Sequence, residues 1–201
     1  MKFKINLILN IIIACALITS CGLFKGHSSQ KEIAKIVKEN QELLDCVPGE
    51  IKKLNYSSCT ISTTEKNSIE SQLFPYDALL NSNYKDIQGL YVQDGSNSIF
   101  SLKNDVLSEV LNINGVMKIS NGVSDNRFFI NFDCGGEGFG SAMNYHGFYY
   151  TQDNLRIGWE GEAVDLTQND KGWLWKEAED SDNIYYTERI SDNWFYYKMS
   201  W

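Results

Sequence analysis

A chain of 201 residues, 43% hydrophobic and 22% charged, has the size and balance of one folded domain, which excludes wholesale disorder and a multi-span membrane protein. Its formal net charge of −8 disfavours nucleic acid and anionic lipid headgroups as partners and is compatible with a cationic protein, although acidity on its own serves plain solubility. Only 2 histidines are present, which counts against most hydrolytic and zinc chemistry.

The chain opens with Lys2 and Lys4 and continues into an apolar run from Ile5 to Ile18. Such a run is too short to cross ~30 Å of hydrocarbon comfortably at ~1.5 Å per residue, and it has the layout of a secretory signal. Ile18, Thr19, Ser20 and Cys21 follow it in an order that resembles the lipobox of bacterial membrane lipoproteins. The resemblance covers residues 1–21 and gives no family for the remainder. It implies removal of residues 1–20, a diacylglycerol thioether and an N-acyl chain (such as palmitate) on Cys21, and anchorage by those chains at ~0.8 kcal/mol per buried methylene. Gly22 after the cysteine, in place of aspartate, implies that in a Gram-negative cell the anchor lies in the outer membrane, facing the periplasm. Ile12, Ile13, Ala14 and Cys15 match the same pattern but would strand Ala16, Leu17 and Ile18 at the new terminus, so Cys21 is preferred. Residues 21–30 then form a lipidated cysteine and short tether, and residues 31–201 one globular domain.

Ser29 with Glu32 forms a capping-box pattern, and Ile33, Ile36, Val37, Leu43, Leu44 and Val47 recur at helical spacing, so a helix is expected over about 30–45, stopped by Pro48 and Gly49. Alternation over 51–62 suggests a strand, residues 63–74 read as a short helix, and Pro75 opens another helical turn. GLYVQ and SIFSL around DGSN signal a hairpin, and Asn104 caps a further helix. Beyond Gly115 come VMKIS, RFFINF, SAMNYHGFYY, LRIGW, GWLWKEA, IYYTERI and WFYYKMSW, each bounded by turn residues. The expectation is an α+β fold, N-terminal helices followed by a predominantly antiparallel β-meander. The closing alternation Phe195, Tyr197, Met199, Trp201 resembles the last strand of an outer-membrane barrel, but the helices expected upstream contradict a barrel.

Beyond the signal three cysteines remain, and an oxidising compartment lets one pair bridge. Cys46 with Cys59 closes a loop of about 14 residues, worth about 3 kcal/mol, and is preferred; Cys134 with either of the others is the alternative. In FDCGGEGFGS, residues 132–141, Cys134 invites a nucleophile reading with His146 as base and Asp133 or Asn144 to orient it. The glycines that follow cannot hold the helix whose N-terminus would stabilise a thiolate, and His146 lies in a strand-like aromatic run. Gly136, Gly138 and Gly140 lack the lysine of a phosphate loop, and Glu137 opposes phosphate. This stretch is therefore read as the end of a buried strand and a sharp turn. EAEDSD at 177–182 lacks the alternation of an EF-hand and is read as a hairpin cap, and Glu160, Glu162 and Asp165 are too ordinary on an acidic chain to define a glycosidase pair.

No cofactor or metal is expected. The expected role is non-enzymatic protein binding by a lipid-anchored periplasmic lipoprotein, as an inhibitor or immunity protein against a cationic envelope-targeting toxin or lysozyme-like enzyme. A carboxylate-based envelope hydrolase or a structural envelope-assembly lipoprotein is the alternative. Trp173, Trp175, Tyr185, Trp194 and Tyr196 are the candidate binding surface.

Overall fold

Strands whose side chains alternate between two apolar sets need a cover on each face of their sheet. The C-terminal strands are of this kind: Trp194 and Tyr196 belong to one buried cluster, Phe195 and Tyr197 to another. A computed structural model describes residues 29–63, 90–94, 99–139, 142–162, 164–179 and 181–201. Cys15 and Cys21, the short helix expected over 63–74 beyond its first residue, and the turn at Pro75 lie outside the described residues.

Among the described residues the fold is mostly antiparallel β with three helices: α1 (Gln30–Glu39), α2 (Gln41–Leu54) and α3 (Asp105–Asn112). The strands are β1 (Cys59–Thr63), β2 (Leu90–Asp94), β3 (Ile99–Leu102), β4 (Lys118–Ser124), β5 (Arg127–Phe139), β6 (Ala142–Thr151), β7 (Thr167–Gln168), β8 (Trp173–Lys176), β9 (Ile184–Ser191) and β10 (Trp194–Ser200). They form one sheet in the order β3-β2-β1-β4-β5-β6-β10-β9-β8-β7. This corrects the simple meander. After β6 the chain crosses to the far edge and returns through β7, β8 and β9, so the final strand β10 sits between β6 and β9.

The capping box at Ser29 starts α1: Ser29 Oγ accepts from the Glu32 amide and Glu32 accepts from the Ser29 amide at 2.6 Å. The single expected helix is two. Asn40 breaks it, both its backbone and side-chain N–H groups donating to the Ile36 carbonyl, at 3.1 and 2.8 Å. Pro48 does not stop α2 but lies inside it, because Leu44, Val47, Pro48 and Ile51 are all buried and their burial outweighs the missing backbone bond. Residues 51–54 accordingly remain helical where a strand was expected, and left-handed Asn55 (φ 58°) ends the helix. Asn104 caps α3 by accepting from the Leu107 amide at 2.9 Å, and its Nδ2 donates to Glu50 Oε2 of α2 at 2.8 Å.

The expected hairpin between β2 and β3 is present. Asp125 and Asn126, both left-handed at φ 50° and 62°, join β4 to β5 in the primed-turn geometry that suits strand twist. Residues 132–139 correct the expected turn: β5 runs through them to Phe139, with a bulge between Asp133 and Gly136 where Gly135 adopts φ 86°. LRIGW is not a strand. Residues 152–162 instead form a strap over the sheet, ending in a short 3-10 turn, Trp159–Gly161.

The inner face, covered by the helices, packs Ile33, Val37, Leu44, Val47 and Ile51 against Ile130, Phe132, Phe148 and Trp194. Phe132 and Phe148 stack at 4.5 Å, and Trp194 Nε1 donates to Asp45 Oδ1 at 3.0 Å. The outer face carries Phe129, Tyr149, Ile157, Tyr185, Phe195, Tyr197 and Met199. No described helix is long and apolar enough to cross a membrane.

Replacing a fully buried aromatic at the centre of the inner layer should therefore cost far more than truncating an exposed side chain. Urea unfolding of Phe148→Ala is expected to show a loss of about 3–5 kcal/mol, whereas Val123→Ala, at a residue 56% exposed, should stay within ~0.5 kcal/mol.

Candidate functional site

The outer face is built row by row from strand register. One row joins Tyr145 to Met199, Tyr185 and Trp175, and the next joins Gly147 to Tyr197, Thr187 and Trp173. Gly147 is required there: a Cβ would stand 2.2 Å from the Phe132 carbonyl oxygen and 2.6 Å from the Tyr197 ring, which lies over the glycine.

Over these rows lies the strap, tied down from both sides. On one side Arg127, at the start of β5, grips Asp153 through Nε at 2.6 Å and Nη2 at 3.2 Å, and its Nη2 also donates to the carbonyls of Leu155 and Arg156 at 2.8 and 3.2 Å. The guanidinium holds the Asp153 carboxyl below the usual carboxylate range. On the other side the Ile157 amide donates to the Tyr149 phenol at 3.3 Å, while the Tyr185 phenol donates to the Ile157 carbonyl at 3.1 Å. Thr187 Oγ1 donates to the Tyr196 carbonyl at 2.8 Å, so the 2.7 Å contact between Tyr149 and Thr187 has the phenol as donor. Proton donation thus runs in one direction, from Ile157 through Tyr149 and Thr187 to Tyr196. A void of about 10 Å³, roughly one water in size, lies beneath the strap between Asn131, Tyr149, Tyr185 and Tyr197.

Burial pushes the Tyr149 phenol up to about 12 and the Tyr185 phenol well above its ordinary value. Both stay protonated at neutral pH and serve as hydrogen-bonding anchors. Between the strap and the β4–β5 turn is a polar groove of about 300 Å³, lined by Arg127 and Arg156 as well as Asp125, Glu162 and Asp165. Arg156 lies 4.7 Å over the Trp173 ring, and Arg189 lies 4.9 Å over Phe195 on the same face.

The aromatic residues singled out from sequence do not share one surface. Trp173 and Trp175 are half-buried on the outer face and pack against its cluster. Tyr185 belongs to that face but is 1% exposed, a core residue. Trp194 and Tyr196 point the opposite way and are buried beneath the helices, at 0% and 4% exposure. Strand parity separates them: positions 194 and 196 alternate with 195 and 197. Alternation also identifies outer-face residues outside that candidate surface, Tyr145 and Trp201, while Trp159 joins them only through the fold of the strap.

Cys46, Cys59 and Cys134 all stand as thiols, so the bridge expected between Cys46 and Cys59 is not formed. Cys46 faces solvent on α2, its Sγ 3.3 Å from the Glu42 carbonyl, whereas Cys59 is buried with its Sγ 2.8 Å from Asn121 Oδ1. Register sets Cys59 opposite Asn121 and Asn121 opposite Ile130, four residues from Cys134. That is ~13 Å along the strand, beyond the ~7 Å a disulfide allows. Cys134 and His146 both lie on the inner side of the sheet, where His146 Nδ1 meets the Tyr196 hydroxyl at 2.9 Å and its Nε2 lies 4.0 Å from Glu137. Cys134 is 0% exposed and lies close enough to help push the Tyr196 phenol up, after burial and Glu188. Glu177 is occupied within its own hairpin, accepting from Ser181 Oγ at 3.2 Å and from Asn183 Nδ2. Among the described residues no three His, Cys, Asp or Glu side chains converge as a metal site.

No protein family, curated protein or solved structure matches the chain.

Linkage gives the network a pH signature. The raised phenols make the folded state hold protons that the unfolded chain releases above pH 10, so their contribution is complete below about pH 10 and is lost as pH rises toward 12. Thermal midpoints are expected to be flat near pH 8–9 and to fall steeply beyond ~10. Tyr149→Phe is expected to cost about 1–3 kcal/mol at neutral pH, by stranding the Ile157 amide, and to make the alkaline fall shallower.

Proposed function

We propose that the chain is a lipid-anchored extracytoplasmic protein, held on a bacterial membrane through Cys21, whose outer face binds a cationic protein without catalysing a reaction. The observation that carries this reading is where the acidity sits. Residues 157–182 hold eight carboxylates against Lys171 and Lys176, a net of −6 in a chain of −8. The same segment supplies Trp159, Trp173 and Trp175, all half-buried, while Glu162, Asp165, Asp170, Glu177, Glu179 and Asp182 are exposed around it. Half-exposed tryptophans within a carboxylate field supply the two parts of a tight contact with a basic protein: large, rigid anchors and electrostatic steering.

Placement supports a membrane-tethered role. Residues 22–29 between Cys21 and α1 span at most ~27 Å when extended, so the body stays near the lipid surface, and α1 lies on the inner side of the sheet, leaving the opposite face to meet a partner. Inhibition of, or immunity to, a basic envelope-directed enzyme or toxin is the biological role this favours.

The test is a photo-crosslinker at position 173 of the full-length chain in its native bacterium. A basic extracytoplasmic protein should be captured. Its yield should fall between about 0.1 M and about 1 M salt, as the Debye length shrinks from ~10 to ~3 Å, and should fall again in Glu177→Lys/Glu179→Lys. Cys21→Ser should release the chain from the membrane fraction. Capture of an acidic protein indifferent to salt, or no protein at all, would overturn the reading.

A further inference from the structure

Three outer-face rings meet at the end of the sheet where β10 finishes. Tyr145 and Trp201 have centroids 5.1 Å apart and planes at 45°, Tyr145 and Trp159 are 6.2 Å apart at 50°, and Trp159 and Trp201 are 6.0 Å apart at 88°. Tilted pairs also occur in the core, Phe132 and Phe148 each meeting Trp194 at 51°, but those rings are sealed from water. Tyr145, Trp159 and Trp201 are likewise mutually tilted, but they stand at the rim. Trp201 is 37% exposed and the other two are half-buried, so faces of this corner remain open to solvent.

The molecule's own cations indicate what such a face takes. Arg156 and Arg189 each cover an outer-face ring, at 4.7 Å over Trp173 and 4.9 Å over Phe195. Among the described residues no cation of the chain stands over Tyr145, Trp159 or Trp201. The nearest acidic cluster that register identifies lies two strands from β10, ~10 Å across the sheet. Register carries the row Asn144–Ser200–Ile184–Lys176 directly to the β8–β9 connection, where Glu177, Glu179 and Asp182 are exposed, while Lys176 Nζ is taken up by the Glu179 carbonyl. Exposed ring faces hold a guanidinium or ammonium group at contact, and carboxylates within about a Debye length draw it in.

We infer that the corner formed by Tyr145, Trp159 and Trp201 is the seat for one arginine or lysine side chain of the protein partner. This rests on the proposed function and sharpens it. The acidic surface steers a basic partner, and the corner fixes where its key cation docks.

The test titrates the full chain, in nonionic detergent, with a pentaarginine amide peptide and with its neutral citrulline counterpart. The indole N–H signals of Trp159 and Trp201 are followed by NMR. Both signals should move with the arginine peptide and stay in place with the citrulline one. Trp201→Leu should weaken arginine binding about two- to fivefold, while Trp201→Phe, which keeps a ring face, should lose less. Equal binding of the two peptides, unmoved indole signals, or Trp201→Leu binding as well as Trp201→Phe would each overturn the inference. The two readings fail separately. If position 173 crosslinks a basic partner whose yield is unchanged by Trp201→Leu, the corner assignment falls while the binding function stands. If no basic partner is captured yet the indole signals respond only to arginine, the corner stands as a cation seat and the proposed function falls.

Discussion

The grip of Arg127 on Asp153 and on the carbonyls of Leu155 and Arg156 is the interaction on which the outer half of the molecule depends. A sheet with Phe195 and Tyr197 on one side and Trp194 and Tyr196 on the other has no face it can leave to water. Helices cover one face. The other has only a strap without regular ladder bonds, and such a segment needs its backbone groups satisfied individually. Arg127 meets two carbonyls and a carboxylate from one planar group, and the phenols of Tyr149 and Tyr185 meet the amide and carbonyl of Ile157. Ile157 can then lie in the outer cluster without leaving an orphaned backbone group beside it.

This arrangement decides which aromatics form the core and which form the surface. Tyr149, Tyr185 and Tyr197 sit beneath the strap and are core residues despite their hydroxyls. Trp159, carried by the strap itself, meets Tyr197 edge-on at 5.2 Å below and faces Tyr145 and Trp201 at the rim. The same fold that satisfies the backbone of residues 152–162 thus assembles the tilted rings of the proposed cation seat from three distant stretches of chain.

Much of the architecture was legible in the sequence, and the misses have physical causes. Caps read from a few residues were correct, as at Ser29–Glu32 and Asn104, because they are satisfied locally. The halt at Pro48 was not, because tertiary burial of Val47, Pro48 and Ile51 offsets one missing backbone bond. LRIGW has the composition of a strand, but the amide and carbonyl of Ile157 bond to phenols from residues 8 and 28 positions away, which no local pattern reports. The position of β10 between β6 and β9 is likewise non-local, and so is the side of the sheet that the helices cover, which is why the candidate surface mixed two faces. Within WFYYKMSW parity alone separates Trp194 and Tyr196 from Phe195 and Tyr197, but which set faces the helices depends on where the helices pack.

If the strap is a structural layer and not a loose loop, its amides must be protected by the stability of the whole sheet. Native-state hydrogen exchange on the full chain measures this directly at Ile157, Gly161 and Glu162, whose N–H groups donate to Tyr149, Gly158 and Trp159. Exchange at these three amides in step with the central strands β6 and β10, governed by global unfolding, is the predicted result. Exchange at the rate of an unstructured segment while β6 and β10 remain protected would contradict the account, since the outer aromatic face would then have no fixed form to present.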